Sequence, residues 1–237
     1  MERKTKRTML LSARALETPH KKKVLDERAG NDKTWGDVYS KPASKFFFFW
    51  DILVHLRYLF IILLRRPKRA IEVGVGRGVQ SVFLSIFIKD VVAVDSSREV
   101  AMNAWSTITN SKAKARLVLT DAFSMPFQDG SFDVCYSQGF LEHFSDEQIA
   151  RLFKEQLRVA HYLVHSVPSD RYPWKQFGDE RHLTPHAWHN ILAASLTEAN
   201  VIIRVRYGYV PLINLFIIIE AKPRYRKAAS RTLSSPE

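Results

Sequence analysis

A single cysteine, Cys135, stands among the 237 residues. No intrachain disulfide can form, so a reducing, cytoplasmic setting is expected. Its apolar neighbourhood, "FDVCYS", predicts a core side chain and not a nucleophile. Acidic residues are also in deficit, 24 against 36 Lys and Arg, a formal net charge of +12. The excess collects at the ends: Met1 to Lys23 holds eight basic residues against two acidic, and Lys222 to Glu237 five against one. Such tails can touch nucleic acid, acidic lipid or neither, and solvated tails are the expectation. No internal repeat or long low-complexity segment interrupts the chain. The continuous apolar stretch of a secretory leader is missing too, because "MERKTKR" is followed only by the short, interrupted "TMLLSARAL".

One long apolar run does exist. "FFFFWDILVHLRYLFIILL", Phe46 to Leu64, has nearly the length of a membrane span and is followed by Arg65, Arg66, Lys68 and Arg69. Asp51 and Arg57 interrupt it, each costing roughly 2.5 to 3.5 kcal/mol near a bilayer centre, while the apolar residues return roughly 0.3 to 0.6 each. Those terms nearly cancel. Asp51, His55 and Tyr58 share one helical face, which predicts a packing helix whose polar stripe is wet and whose apolar side meets a globular core. Membrane association through 46–64 is the alternative, not favoured.

Downstream, short β-branched runs alternate with helical patterns. Strands are predicted at Ala70–Val73, Val91–Val94, Ala115–Leu119, Phe132–Ser137 and Tyr162–Val167, with helices near 78–88, 98–110 and 146–159. Thr184 and Pro185 open a further helix as N-cap and first helical residue. Two strands, Val201–Tyr207 and Asn214–Ala221, then follow across a connection too short for anything but antiparallel neighbours. The expected fold is α/β: a doubly wound, mostly parallel seven-stranded sheet with helices on both faces and a C-terminal antiparallel hairpin, Rossmann-like. The domain is expected over 46–222, with a basic, partly flexible extension over 1–45 and a basic tail over 223–237.

Nine glycines serve the whole chain, yet three fall within "GVGRG", Gly74 to Gly78, between the first strand and the next helix. A dinucleotide fingerprint would read G-x-G-x-x-G, but the glycines are evenly spaced and Val79 holds the third position. Glu72, two residues before the turn, would oppose a pyrophosphate and favour a ligand carrying an ammonium and a sulfonium. S-adenosylmethionine is such a ligand.

"EVGVGRG" resembles the E/D-x-G-x-G-x-G signature of class I S-adenosylmethionine-dependent methyltransferases. The likeness runs from about Ala70 to Lys222, toward the small-molecule branch of that family. It implies S-adenosylmethionine as cofactor, held by Glu72, Gly74, Gly76 and Gly78. Asp95 in "VVAVDSS", with Ser96 beside it, is implied for the ribose hydroxyls. Asp121 and the Ala122 amide in "LVLTDAFSMPF" are implied for the adenine, and Gln138 in "CYSQGFLEHF" borders the cofactor. One departure stands out: no Lys-Pro-Gly-Gly-like turn precedes the fifth strand, where the chain reads "EQLRVAHYLVHSVPS".

Methyl transfer from a sulfonium needs a nucleophile held in line and kept dry; a base is optional. Glu142 and His143, just beyond the fourth strand, are the candidate catalytic pair, although His143 could equally cap or pack the next helix. The loop "SDRYPWKQFGDERHLT" carries Tyr172, Trp174, Phe177 and Arg181, and is expected to be a lid with Tyr172, Trp174 and Arg181 contacting the acceptor. His182, His186 and His189 lack a fixed acidic or thiolate partner, so no metal is expected. The turn after the fourth strand, Ser137-Gln138-Gly139-Phe140, is not the Asn/Asp-Pro-Pro-aromatic turn usual for adenine or amide methylation. A small-molecule acceptor with an O or N nucleophile is therefore expected. The alternatives are an RNA or protein methyltransferase using the basic tails, or a binding module without turnover.

Overall fold

The computed structural model describes residues 34–173, 175, 179–197, 199–208 and 213–222. Its strands are β1 (Arg69–Val73), β2 (Asp90–Asp95), β3 (Arg116–Leu119), β4 (Phe132–Gln138), β5 (Ala160–Pro168), β6 (Val201–Tyr207) and β7 (Asn214–Ala221). Its helices are α1 (Trp35–Val38), α2 (Lys45–Leu63), α3 (Val79–Leu84), α4 (Arg98–Asn110), α5 (Asp146–Val159) and α6 (Pro185–Ser195). The strands form one seven-stranded sheet in the order β3-β2-β1-β4-β5-β7-β6. β1 to β5 pair in parallel, while β7 pairs antiparallel with both β5 and β6. This is the expected doubly wound sheet with its terminal hairpin. The order reverses between β1 and β2 on one side and β1 and β4 on the other, which opens a crevice at the carboxyl ends of β1, β2 and β4.

Strand residues divide by parity between two cores. Ala70, Val91, Ala93, Val134, Tyr136 and Val164 pack with α2, α3 and α4 on one face. Ile71, Val92, Val94, Cys135, Leu163 and Ile217 pack with α5 and α6 on the other, around the fully buried Phe153 and Trp188. Side chains two apart share a face, so near-continuous apolar strands mean that both faces are covered. Cys135 is buried, as its surroundings predicted.

The turn missing before β5 has a simple resolution. α5 passes straight into β5: Ala160 takes an extended conformation (φ −141°, ψ 152°) while its N–H still bonds Gln156 O. No glycine is needed because no residue there turns left-handed. α3 is shorter than expected. After Leu84 the chain tightens through Ile86 N–H to Phe83 O and Phe87 N–H to Leu84 O, leaving Ile86 and Phe87 exposed.

Two expectations need correction. On α2, the face with Asp51, His55 and Tyr58 points inward. His55 and Tyr58 are buried, the Tyr58 hydroxyl donates to Ser137 O at 2.8 Å, and His55 Nδ1 lies 2.9 Å from Asp51 O. The helix is apolar nearly all round, so polarity does not select its outer face. Instead the Tyr58 hydroxyl satisfies Ser137 O at the end of β4, and a buried carbonyl left unpaired is costly. The second correction concerns the extension over 1–45: its last dozen residues belong to the fold. Thr34 caps α1 in a capping box with Asp37, and Gly36 packs against the Glu99 side chain of α4. The tail over 223–237 lies outside the described residues, as do residues 1–33.

Candidate functional site

The glycine turn is built for close approach. Gly74, Gly76 and Gly78 all have positive φ (75°, 51° and 76°), a region costly for any residue with a Cβ. A Cβ on Gly74 would stand 2.6 Å from the Phe140 ring. The N–H groups of Gly74 and Val75 bond Val94 O at 3.0 and 3.2 Å, which holds the turn to the end of β2. Beneath it Glu72 is buried, receiving hydrogen bonds from Ser81 Oγ and, at 3.4 Å, from the Tyr136 hydroxyl. Burial pushes its carboxyl up to about 8, with Asp51 adding to the rise. A cation placed nearby would restore its charge.

Asp95 closes β2 beside this turn. Its Oδ1 accepts from Ser97 N–H at 2.9 Å, and Ser97 in turn caps α4. Burial pushes Asp95 up to about 6, against the pull of the Ser97, Val75, Ser96 and Gly76 amides. Ser96 thus contributes through its backbone. Asp121 starts the next turn, its Oδ1 accepting from Phe123 N–H at 2.9 Å, and Thr120 N–H bonds Asp95 O, so the two acids leave adjacent strands. Asp121 and Ala122 are half-buried. Arg158 braces the far side of this loop, donating to Met125 O and Phe127 O while paired with Glu155 and Asp129.

Gln138 ends β4, half-buried and in register with Ser166 of β5. The chain then enters a 3₁₀ turn, Leu141–His143, which aims Glu142 and His143 at the crevice. Glu142 is buried, and its Oε2 has no hydrogen-bond partner among the described residues. Burial pushes its carboxyl up to about 8, and Glu180 and Asp179 raise it further against the pull of its own amide. His143 Nδ1 lies 3.0 Å from Asp179 Oδ1, and its Nε2 4.0 Å from Glu142 Oε1. The pairing sets the imidazole's orientation.

Three aromatic residues join the site that the sequence reading missed. Phe140 lies over Gly74. The Tyr39 ring lies over Gly76, 3.3 Å from where a Cβ would stand, and Trp35 stacks on Tyr39 and meets the His143 ring edge-on at 4.8 Å. Arg77, inside the glycine turn, ties this lid down by donating to Val38 O and Lys41 O. Tyr39 is pushed up to about 12, first by burial and then by Glu142 and Asp95. The capping-box pattern "TWGD" was the available signal for α1, but nothing local says where a four-residue helix docks.

The loop after β5 is only partly described. Trp174 and Phe177 lie outside the described residues. Tyr172 is half-buried against His182, ring centroids 5.5 Å apart. Arg181 differs from expectation: its guanidinium bonds Phe144 O and pairs with Asp146, and its N–H bonds Glu142 O. It clamps the Glu142 turn and does not reach out to an acceptor.

Comparison with known proteins agrees with this geometry. The family described as methyltransferase domain matches residues 71–162, from Ile71 before the glycine turn to Tyr162 in β5. Over those residues the chain is similar to a methyltransferase domain, and the sheet around them has the fold of a class I methyltransferase. It is 30% identical over 118 residues to an uncharacterized methyltransferase, YcgJ, of Bacillus subtilis (strain 168), covering 46% of each chain. It is 32% identical over 99 residues to the chloroplastic tocopherol O-methyltransferase of Arabidopsis thaliana, covering 40% of this chain and 28% of that one. It spans less than half the length of these two relatives. The crystal structure of a SAM-dependent methyltransferase from Aquifex aeolicus superposes with a TM-score of 0.57 at 18% identity, over 69% of this chain and 89% of that one, a likeness of fold. The cofactor implied by a methyltransferase domain of this class is S-adenosylmethionine. The residues fit it: a turn bare of Cβ atoms, an acid at the end of β2 for a diol, and buried Glu72 for a cationic group.

Proposed function

We propose that this chain binds S-adenosylmethionine on the Gly74 to Gly78 turn and transfers its methyl group to an oxygen or nitrogen of a small-molecule acceptor. The observation that carries the reading is the convergence on Tyr39. Gly76 of the cofactor cradle lies under that ring, and Trp35 stacks on it while meeting the His143 ring of the opposite wall edge-on. Bound there, S-adenosylmethionine supplies a sulfonium methyl ready for in-line displacement.

The chain's own residues then have three tasks. Asp95, whose carboxylate only accepts hydrogen bonds, would hold the ribose diol. Trp35, Tyr39 and Phe140 exclude water, which strengthens every charge interaction inside. His143, with Nδ1–H donating to Asp179, is the base that would take the acceptor's O–H or N–H proton as the new bond to carbon forms and the sulfur–methyl bond breaks. Glu142, neutral over most of the physiological range, can donate a hydrogen bond to the same acceptor. The small-molecule reading is supported by the turn after β4, and by the O-methyltransferase relative whose name gives tocopherol as its acceptor. A cytoplasmic setting is supported by the single, buried cysteine.

Calorimetry with S-adenosylmethionine and with NAD, followed by release of S-adenosylhomocysteine across a metabolite library, tests the proposal. Binding of NAD alone would overturn the cofactor assignment. Turnover only with RNA, falling steeply with added salt as counterions are released, would overturn the acceptor class.

A further inference from the structure

The outer face of α2 is apolar and uncovered by any described residue. Phe46 is 80% exposed, Phe49 68%, Trp50 56%, Leu53 52%, Phe60 58% and Leu64 62%. At helical spacing these side chains form one stripe along a 19-residue helix, about 28 Å long. Beyond its C-terminal end the stripe meets a second segment. Leu63, Arg66, Pro67, Phe87 and Ile88 line one hollow, and beside it Ile86 and Phe87 stand 71% and 59% exposed. Side chains exposed to this degree leave on the order of 100 Å² each, so the surface reaches several hundred Å² or more, at or above the largest patch on a typical monomer.

Charge says what covers it. Exposed Lys41 and Lys45 stand at one end of the stripe, and exposed Arg66, Lys68 and Lys89 at the other. A second copy of the chain docked through this stripe about a two-fold axis would set the basic ends of one helix against the basic ends of the other, cation against cation. An anionic lipid surface meets every one of these groups with opposite charge.

Spanning is ruled out by the other face. His55, Tyr58, Leu59 and Ile62 are buried in the sheet's core, and Tyr58 bonds the end of β4. We propose that α2, with the Ile86–Phe87 tip, docks this domain in the plane of an anionic membrane, its apolar stripe entering the headgroup and acyl boundary. This goes beyond the methyltransferase reading and does not depend on it.

The test uses the full chain with large vesicles of phosphatidylcholine alone or with 30% phosphatidylglycerol, read by co-sedimentation. The wild type should partition onto anionic vesicles at least tenfold more strongly than onto neutral ones. Leu53→Asp with Phe60→Asp should lower that binding at least tenfold while leaving thermal stability and S-adenosylmethionine binding unchanged. Trp50 emission should shift to the blue with vesicles, a change lost in Trp50→Phe. Equal vesicle binding by wild type and the double variant would assign binding to the basic tails and overturn the proposal. So would the absence of binding, or a wild-type dimer that the double variant dissociates.

Discussion

Replacing Asp95 by Asn probes the cofactor cradle with little disturbance to the fold. The Asn side-chain oxygen can still accept from Ser97 N–H, so the cap on α4 survives. What is lost is the charge that faces the diol. Hydrogen bonds to a charged group contribute about 1.5 to 3 kcal/mol each. Two ribose hydroxyls, with one weaker acceptor retained, give a loss of roughly 2 to 4 kcal/mol, a roughly 30- to 700-fold rise in Kd by calorimetry. The pH dependence adds a second signature. In the free protein the Asp95 carboxyl is pushed up to about 6 by burial, and two hydroxyl donors favour its charged form. Below about pH 6, binding must therefore expel a proton. Affinity should fall by up to about tenfold per pH unit from 6 toward 5 and be flat for this group above 6. Asp95→Asn should lose that slope. A Kd within threefold of wild type, or an unchanged acid slope in the variant, would refute the assignment of Asp95 to the diol.

Glu72 and Glu142 are both pushed up to about 8 by burial, against about 4.3 for an ordinary glutamate. The folded state holds protons that the unfolded chain releases, so their contribution is full below about pH 4.3 and is lost as pH rises through 8; Tm of the unliganded protein should fall across that window, and Glu72→Gln should flatten the fall. Tyr39→Ala removes the ring over Gly76, and should raise the Kd for S-adenosylmethionine roughly tenfold while lowering Tm by only a few degrees; an unchanged Kd would take α1 out of the site. His143→Ala should lower kcat about 10²- to 10⁴-fold with cofactor affinity unchanged. Asp179→Asn, which removes the carboxylate 3.0 Å from Nδ1, should lower kcat at least tenfold with cofactor affinity unchanged, because the imidazole loses the partner that orients it.

What the sequence determined by itself is local and periodic. Strand bounds, helix caps and the parallel order follow from apolar runs, β-branched residues and N-cap chemistry repeated at short spacing. The Glu72 to Gly78 pattern is legible because a left-handed backbone admits almost only glycine, and the Asp95 position because a strand end at a switch point faces the crevice. Tertiary structure decided everything that depends on which surfaces meet. α2 is apolar on nearly every side, so its local pattern could not choose the inner face; packing set Tyr58 against Ser137 O at the end of β4 and left Phe49, Leu53 and Phe60 outside. Asp179 reaches His143 across 36 positions, and Tyr39 reaches Gly76 across 37. Arg181 looked free for an acceptor until the fold set Phe144 O and Asp146 beside it. Contacts across such separations have no periodic trace in the chain, because they are selected by the packing of whole elements and not by the propensity of any one.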